Sequence, residues 1–274
     1  MTQAGIITNI YKDTLKEFNR KYGFLAYKYI LPIYIVLLFL SWHVDNYVFF
    51  ASPTFFIPLV PFFIIYGLST VKTKNRFYAQ VAEAHGWRYL DLKKETIDDA
   101  FLSERKHTQH IVQYIHGSFH DTKSAYYLYT YTVGSGKHKR TYHFNVLEAT
   151  LSVQVPHILI WDTMHEFVFG NHFINHSTLP QYMRKITLEG NFSKEREVYV
   201  EKEYEIEAYQ ILTPDTMEYI LHNMDTLHLE LTQNKMFLYT VREIYIRDEV
   251  DSLFDTFEAI YTKIKPSLIS IQKH

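Results

Sequence analysis

The sequence predicts an α+β fold, in which an N-terminal two-helix transmembrane hairpin precedes a soluble antiparallel β-sheet domain with flanking helices. Two observations carry this prediction. One is a strongly apolar stretch between Phe24 and Val71, and the other is a later series of segments with two-residue apolar periodicity, bracketed by helical patterns. The predicted domains are an amphipathic helix at 1–23, the hairpin at 24–74 and a cytoplasmic domain at 75–274.

Composition excludes several classes of protein. The 274 residues are 47% apolar and 17% aromatic, which is too hydrophobic for a disordered chain. The absence of cysteine excludes a disulfide scaffold, a thiolate metal site and a cysteine nucleophile. Charge is uneven: residues 1–74 hold 7 basic and 3 acidic side chains, a net of +4, and the remaining 21 and 27 give −6.

The first predicted element is a basic amphipathic helix ahead of the hairpin. Its apolar side chains recur every three or four residues, at Ile7, Tyr11, Leu15, Phe18, Tyr22 and Leu25. Such a helix can lie on an anionic membrane surface or pack on the soluble domain, and the pattern fits both.

Two apolar segments are each long enough to cross a bilayer as a helix. Phe24–Val44 contains one formal charge, Lys28, and Val48–Val71 contains none. The Leu, Ile, Val and Phe residues of the second segment favour insertion by about 4–8 kcal/mol. Pro58 and Pro61 are expected to kink it. The alternative is a pair of buried core segments in a soluble protein.

The flanking charges predict the orientation. Basic residues precede the first segment and follow the second, whereas the connector 43–47 has neither Lys nor Arg. The positive-inside rule then places both termini in the cytoplasm, on the inner face of the cell membrane. The residues placed as anchors at the lipid interface are Trp42, Tyr47, Tyr27 and Lys28.

Residues 75–274 show two-residue periodicity typical of strands. The predicted strands are 110–119, 124–133, 140–153, 157–161, 184–189, 196–200 and 206–212, followed by a hairpin of 226–231 and 236–241. A change of apolar phase near Val146 and Leu147 predicts a β-bulge there.

Four helical segments accompany these strands. The predicted helices are 75–85 ending at Gly86, a short helix from Thr96 to Lys106, one starting at Thr213 and Pro214, and a final helix whose apolar face runs from Val250 to Ile264 until Pro266 interrupts it. The final apolar stripe fits a core face better than a coiled coil, because it lasts barely two heptads.

Histidine is the one unusual supply of chemical groups. His165, His172 and His176 lie in a segment without periodicity, close to Glu166. They could converge on zinc with Glu166 as general base, although surface histidines have the same loose spacing. Nucleotide-binding glycine motifs and the Gly-x-Ser-x-Gly elbow are absent from the sequence.

Two further patterns point away from catalysis and from nucleic acid. Glutamates spaced mostly by two, from Glu195 to Glu207, fit the solvated face of strands and their turn. The tyrosine-rich segment 126–131 could stack bases, but the net acidic domain lacks the clustered positive charge that phosphate binding requires. We therefore expect no nucleic-acid partner.

Two short motifs carry a resemblance. Leu188, Glu189, Gly190, Asn191 and Phe192, with 211–217 containing Thr213 and Pro214, resemble motifs of an uncharacterised bacterial family. Its members have two N-terminal membrane spans and a cytoplasmic α+β domain of unknown function. The resemblance implies a membrane anchor and assigns no active residue.

These patterns predict a membrane-anchored, non-enzymatic binding or scaffold protein without a cofactor. Its acidic domain would present a surface to a protein partner or to a second copy of the chain, next to the lipid bilayer. One alternative is a membrane-tethered zinc hydrolase that uses the histidine cluster. Another is an accessory subunit of a transport or envelope complex, in which the kinked second span packs on another membrane protein.

Overall fold

The computed structural model describes residues 59–91, 108–119, 122–133, 136–162, 181–240, 243–244 and 246–271, together with 32, 35 and 36. The chain divides into two compact units, 1–80 and 81–274. No helix in the described ranges is both long and apolar enough to cross a membrane. Nearly all of the first predicted span (24–44) and the first part of the second (48–58) lie outside those ranges, whereas 59–71 belong to a described helix. The hairpin as a whole stays a prediction, as do the helices at 1–23 and 96–106.

Helix α1 (Leu59–Ala84) contains the predicted helix 75–85 and ends as expected at Gly86. Gly86 has a φ of 66°, which a residue without Cβ adopts at little cost. The Trp87 N–H bonds the Ala82 carbonyl at 2.7 Å and the Gly86 N–H bonds the Glu83 carbonyl at 3.1 Å. These two bonds form a Schellman motif, which satisfies carbonyls that the helix end would leave unpaired.

The second unit is built on an antiparallel sheet of seven described strands, which confirms the predicted α+β class. The strands are β1 (Arg88–Leu90), β2 (Thr108–Phe119), β3 (Thr122–Val133), β4 (Arg140–Asp162), β5 (Met183–Ile186), β6 (Arg196–Glu201) and β7 (Leu227–Thr240). Their order is β1-β2-β3-β4-β6-β5, and β7 pairs with β4.

The 23-residue strand β4 is the centre of the sheet. Its first half pairs with β3 and its last five residues pair with β6, while β7 follows its other edge through both halves. The sequence predicted two strands, 140–153 and 157–161, where the structure has one. The predicted hairpin 226–241 is also wrong, because both halves pair with the same long neighbour and form the single strand β7.

The predicted bulge near Val146 is wrong in position. The pairing of β4 with β3 is regular through Val146 and Leu147. Both residues are buried because both faces of the sheet are covered, so the apolar phase changes without any insertion. The register shift lies further along, between Thr150 and Ile158, on the β7 side.

Four described α-helices complete the second unit. They are α2 (Phe192–Glu195), α3 (Glu205–Ile211), α4 (Pro214–Asn223) and α5 (Arg247–Ile271). Helix α5 covers one face of the sheet, where Phe254 contacts the Tyr126 ring at 5.7 Å and Phe257 contacts Phe119 at the same distance. The opposite face carries a buried aromatic cluster that includes Tyr127, Phe144 and Trp161.

Two helix predictions need correction. Pro266 lies inside α5 and does not end it. Residues 206–212, predicted as a strand, form most of α3: Ala208 and Ile211 are buried three residues apart, and Glu, Ala and Gln are strong helix formers. The helix predicted at Thr213 and Pro214 is confirmed as α4.

Candidate binding cavity

A cavity of about 540 Å³ opens where β4 and β7 lose their regular register. Gln233 of β7 has a φ of 51°, and Val155 of β4 pairs with it alone between two register shifts. Pro156 next to it has no N–H to donate, which suits an irregular position in a ladder. The cavity thus lies at an irregular position of the ladder, and a volume of this size suits a small ligand or a side chain.

A chain of hydrogen bonds leads from the cavity wall into the core. His157 joins Tyr182 through Nδ1 at 3.0 Å and Glu230 through Nε2 at 2.8 Å. The Tyr239 hydroxyl donates to the other Glu230 oxygen at 3.1 Å. Because a carboxylate accepts, the Nε2–H of His157 donates to Glu230, and Nδ1 forms the hydrogen bond with the Tyr182 hydroxyl.

This series of hydrogen bonds is deeply buried at one end and exposed at the other. Glu230 is 0% exposed and His157 is 6% exposed, whereas Tyr182 is 43% exposed. Partners on both carboxylate oxygens offset part of the cost of removing Glu230 from water. The chain therefore holds the Tyr182 ring at the cavity wall.

The outer wall of the cavity is acidic and aromatic. Glu201 ends β6, Tyr204 immediately precedes α3, and Glu207 lies one helical turn later. The other described lining residues are Gln154, Val155, Pro156, His157, Tyr182, Thr232, Gln233 and Ile271. This described lining contains two carboxylates, those of Glu201 and Glu207, and it contains no Lys or Arg.

The outward face of α3 carries exposed apolar side chains. Ile206 is 72% exposed and Tyr209 is 49% exposed. Residues three apart are neighbours on one helix face, so these two side chains form a small uncovered patch. We use "α3 surface" for Tyr182, Tyr204, Ile206 and Tyr209 together with Glu201, Glu203, Glu205 and Glu207.

A second buried polar group lies elsewhere in the sheet. Arg196 contacts Asp162 at 2.7 Å and donates to the Met224 carbonyl at 2.9 Å, while Asp162 accepts from the Thr226 N–H at 3.3 Å. His228, stacked on Trp161 at 3.7 Å, accepts from the Asp162 N–H. These contacts join β4, β6 and the start of β7, so the group is structural.

Most side chains predicted for function lie outside the described residues: the metal candidates His165, Glu166, His172 and His176, and the interface anchors Tyr27, Lys28, Trp42 and Tyr47. Within the described ranges, His, Asp and Glu form no group of three or more that could hold a metal ion. The zinc site and the anchors stay predictions.

The two motifs that carried the family resemblance have structural contacts. Leu188 and Phe192 are buried, and Gly190 has a φ of 68° in the turn between them. Ser193 Oγ accepts from the Leu188 N–H at 2.7 Å and donates to its carbonyl at 2.9 Å. Glu189 is exposed, and Thr213 caps α4 ahead of Pro214. The helix start predicted at Thr213 and Pro214 is confirmed.

Sequence reasoning missed the residues that build the cavity. Glu230 stands between Leu229 and Leu231 in an apolar strand, and His157 precedes the apolar run Ile158–Trp161. An ionisable residue inside a run of buried strand residues requires a polar partner. The position of these two residues in apolar runs could therefore have indicated a buried pair. The 73-residue separation of His157 and Glu230 kept the pair from being recognised.

Comparison with known proteins gives no family. No protein-family model and no curated protein matches the chain. The crystal structure of the mycobacterial trehalose monomycolate transport factor A, TtfA, is similar over 70% of this chain and 96% of that chain, with a TM-score of 0.48 and 11% identity. This distant likeness supports no conclusion about function. The resemblance to the bacterial membrane-anchored family stays a prediction.

Proposed function

We propose that the chain is a non-enzymatic binding protein whose α+β domain presents the α3 surface to a basic partner protein. The observation that carries this proposal is the combination of exposed apolar side chains and acidic charge on one short segment. Tyrosine and other aromatic residues are enriched among the side chains that dominate binding energy at interfaces. When a partner covers a solvent-exposed isoleucine beside tyrosines, the burial of this apolar surface favours binding.

Charge supports a basic partner. Residues 201–207 hold four glutamates and one lysine, a net of −3. Arg184 pairs with Glu205 from the neighbouring strand β5 and offsets one of these charges. A basic surface would be steered towards this segment and held in register by it, because complementary charge speeds encounter and excludes wrong partners.

The membrane anchor belongs to the same proposal. The apolar segments 24–44 and 48–71 and the basic residues that flank them support an anchor in the cell membrane with the domain in the cytoplasm. The zinc hydrolase and the transport or envelope subunit remain alternatives that rest on sequence alone.

Site-specific photo-crosslinking in cells tests the proposal. A benzoylphenylalanine at Ile206 or Tyr209 should capture the same protein, because both side chains lie on one face of α3. The matched control position is Lys137, which is exposed in the turn between β3 and β4. We expect no such product from it.

Combining Ile206→Ser with Glu203→Gln, in a chain that carries the crosslinker at Tyr209, should reduce the yield of this product. The proposal is wrong if all three positions give the same product or none gives any. A product with twice the mass of the chain would identify a second copy as the partner and contradict the basic-partner proposal.

A further inference from the structure

We propose that the cavity beside α3 is a binding site for an organic cation, of the guanidinium or alkylammonium class. This inference rests on the proposed function, since a basic partner could supply the cation as an arginine or lysine side chain. The same chemistry could also come from a free amine. The site is defined by Glu201, Glu207, Tyr182 and Tyr204, and by the buried pair behind Tyr182.

Charge is the first argument. Glu201 and Glu207 both line the cavity, and both are only partly exposed. Within the described part of the chain, neither forms an ion pair with a lysine or arginine side chain. Two carboxylates that share a partly enclosed space repel each other, and a cation between them would convert that repulsion into attraction. Charge-assisted bonds to carboxylates are also stronger than neutral ones.

The aromatic walls are the second argument. Tyr182 and Tyr204 both line the cavity, and the face of a tyrosine ring attracts a cation within about 6 Å. Aromatic rings combined with carboxylates recur in sites for organic cations, because the rings accept the alkyl portion while the carboxylates balance the charge. A small inorganic ion would gain little from the rings.

Preorganisation is the third argument. The Tyr182 hydroxyl is held by His157, which in turn is held by the fully buried Glu230. This chain limits the rotation of an otherwise exposed ring, so less conformational entropy is lost when a ligand packs against it. His157 and Glu230 are therefore positioning residues for the cavity wall.

Calorimetric titration of the full chain tests the inference with three probes. Agmatine represents a free organic cation, N-acetyl-arginine amide represents a partner's side chain, and N-acetyl-citrulline amide is its neutral isostere. We expect at least one of the two cations to bind. The citrulline compound should bind at least tenfold more weakly, because it cannot form charge-assisted hydrogen bonds to the carboxylates. Binding of agmatine without N-acetyl-arginine amide identifies a free amine as the source, whereas binding of N-acetyl-arginine amide shows that the cavity accepts an arginine side chain.

Three variants locate the site. Glu201→Gln and Glu207→Gln should each weaken cation binding about tenfold. Glu189→Gln is the control, because Glu189 is an exposed glutamate that belongs neither to the described cavity lining nor to the α3 surface, and it should change the affinity less than twofold. Thermal melting of each variant checks folding, and a fall in the affinity of the unmodified chain with rising ionic strength is an independent readout.

The inference is overturned if neither cation binds, if the citrulline compound binds equally well, or if Glu189→Gln weakens binding as much as the two lining variants. Its failure is separable from that of the proposed function. If Tyr209 still gives its crosslinked product while no cation binds in the titration, the cavity site is wrong and the proposed function stands. If a cation binds but no partner is crosslinked, the proposed partner protein is wrong and the cavity remains a site for a free amine.

Discussion

At the residue scale, the buried Asp162–Arg196 pair has the largest consequence for stability. The two side chains are 2% and 4% exposed, so neither charge can be hydrated if its partner is removed. Breaking such a pair leaves an uncompensated buried charge, which costs more than the pair itself contributes. The Met224 carbonyl would also lose the bond from Arg196.

Arg196→Met should therefore lower the free energy of unfolding by about 3–5 kcal/mol. Urea denaturation measures this change. The double variant Asp162→Leu with Arg196→Met should be more stable than Arg196→Met alone, because it removes the stranded carboxylate. Equal stability of the two would contradict this explanation.

An exposed ion pair provides the contrast. Lys263 contacts Asp215 at 2.6 Å, but Asp215 is 75% exposed. Solvent screening reduces the value of such a pair, so Asp215→Asn should change the free energy of unfolding by less than about 1 kcal/mol. A loss comparable with that of Arg196→Met would show that burial is not the deciding factor.

The buried side chain of Tyr127 makes the free energy of unfolding depend on pH in the alkaline range. Burial, assisted by the charge of Glu148 and a 3.0 Å bond to it, raises the pKa of Tyr127 well above its ordinary value. Above about pH 10 the unfolded chain loses the Tyr127 proton while the folded chain keeps it. Stability is then lost with rising pH, at up to about 1.4 kcal/mol per pH unit from this one residue.

Tyr127→Phe should remove this part of the slope. Denaturant unfolding of the two proteins at pH 9, 10 and 11 gives the comparison. At pH 9 the variant should be less stable, because it lacks the bond to Glu148, and the difference should shrink towards pH 11. Parallel pH profiles would contradict the prediction.

At the scale of single elements, the stability of helix α4 depends on its N-cap residue, Thr213. The Thr213 side chain accepts a hydrogen bond from the Thr216 N–H at 3.3 Å, and Pro214 occupies the first turn, where its missing N–H is no loss. The segment that carries the resemblance to a bacterial family thus has a plain structural role. Helix α4 also bears Thr216 and Ile220, both of which are buried.

Thr213→Ala should lower the free energy of unfolding by about 1 kcal/mol, because it removes the cap. Thr213→Ser is the matched control, since it keeps the hydroxyl and should stay within a few tenths of a kcal/mol of the unmodified chain. Chemical denaturation separates the two. Equal losses in both variants would show that the threonine methyl group, and not the hydroxyl, is the important part.

At the scale of the whole molecule, the absence of cysteine allows a clean test of the proposed membrane topology. Asn46→Cys lies in the predicted external connector, and Lys137→Cys lies in the predicted cytoplasmic domain. A membrane-impermeant maleimide should label the first variant in intact cells and the second only after lysis. Alkaline carbonate should leave the full chain in the membrane pellet.

Two outcomes would count against the anchor. Labelling of neither site in intact cells, combined with extraction of the full chain by carbonate, would favour segments buried in a soluble protein. Labelling of Lys137→Cys alone in intact cells would reverse the predicted orientation.

Local patterns determined most elements of the described domain. Gly86 and Thr213 mark helix ends because their conformational and capping preferences act within a few residues. The two-residue periodicity located β2, β3, β5 and β6, but it missed β1. The spacing from Val250 to Ile264 identified the buried face of α5. Each of these features depends on neighbours in sequence, which is why residues alone were sufficient.

Tertiary structure decided everything that depends on distant partners. The segment 206–212 forms a helix, and its helical spacing places Ala208 and Ile211 on the buried side. Strand β7 is a single strand because it pairs with β4 on both sides of the register shift. The cavity arises at their register shift, and its wall joins His157 to Glu230, 73 residues away. Burial creates the need for such a partner, but only folding brings the partner within hydrogen-bonding distance.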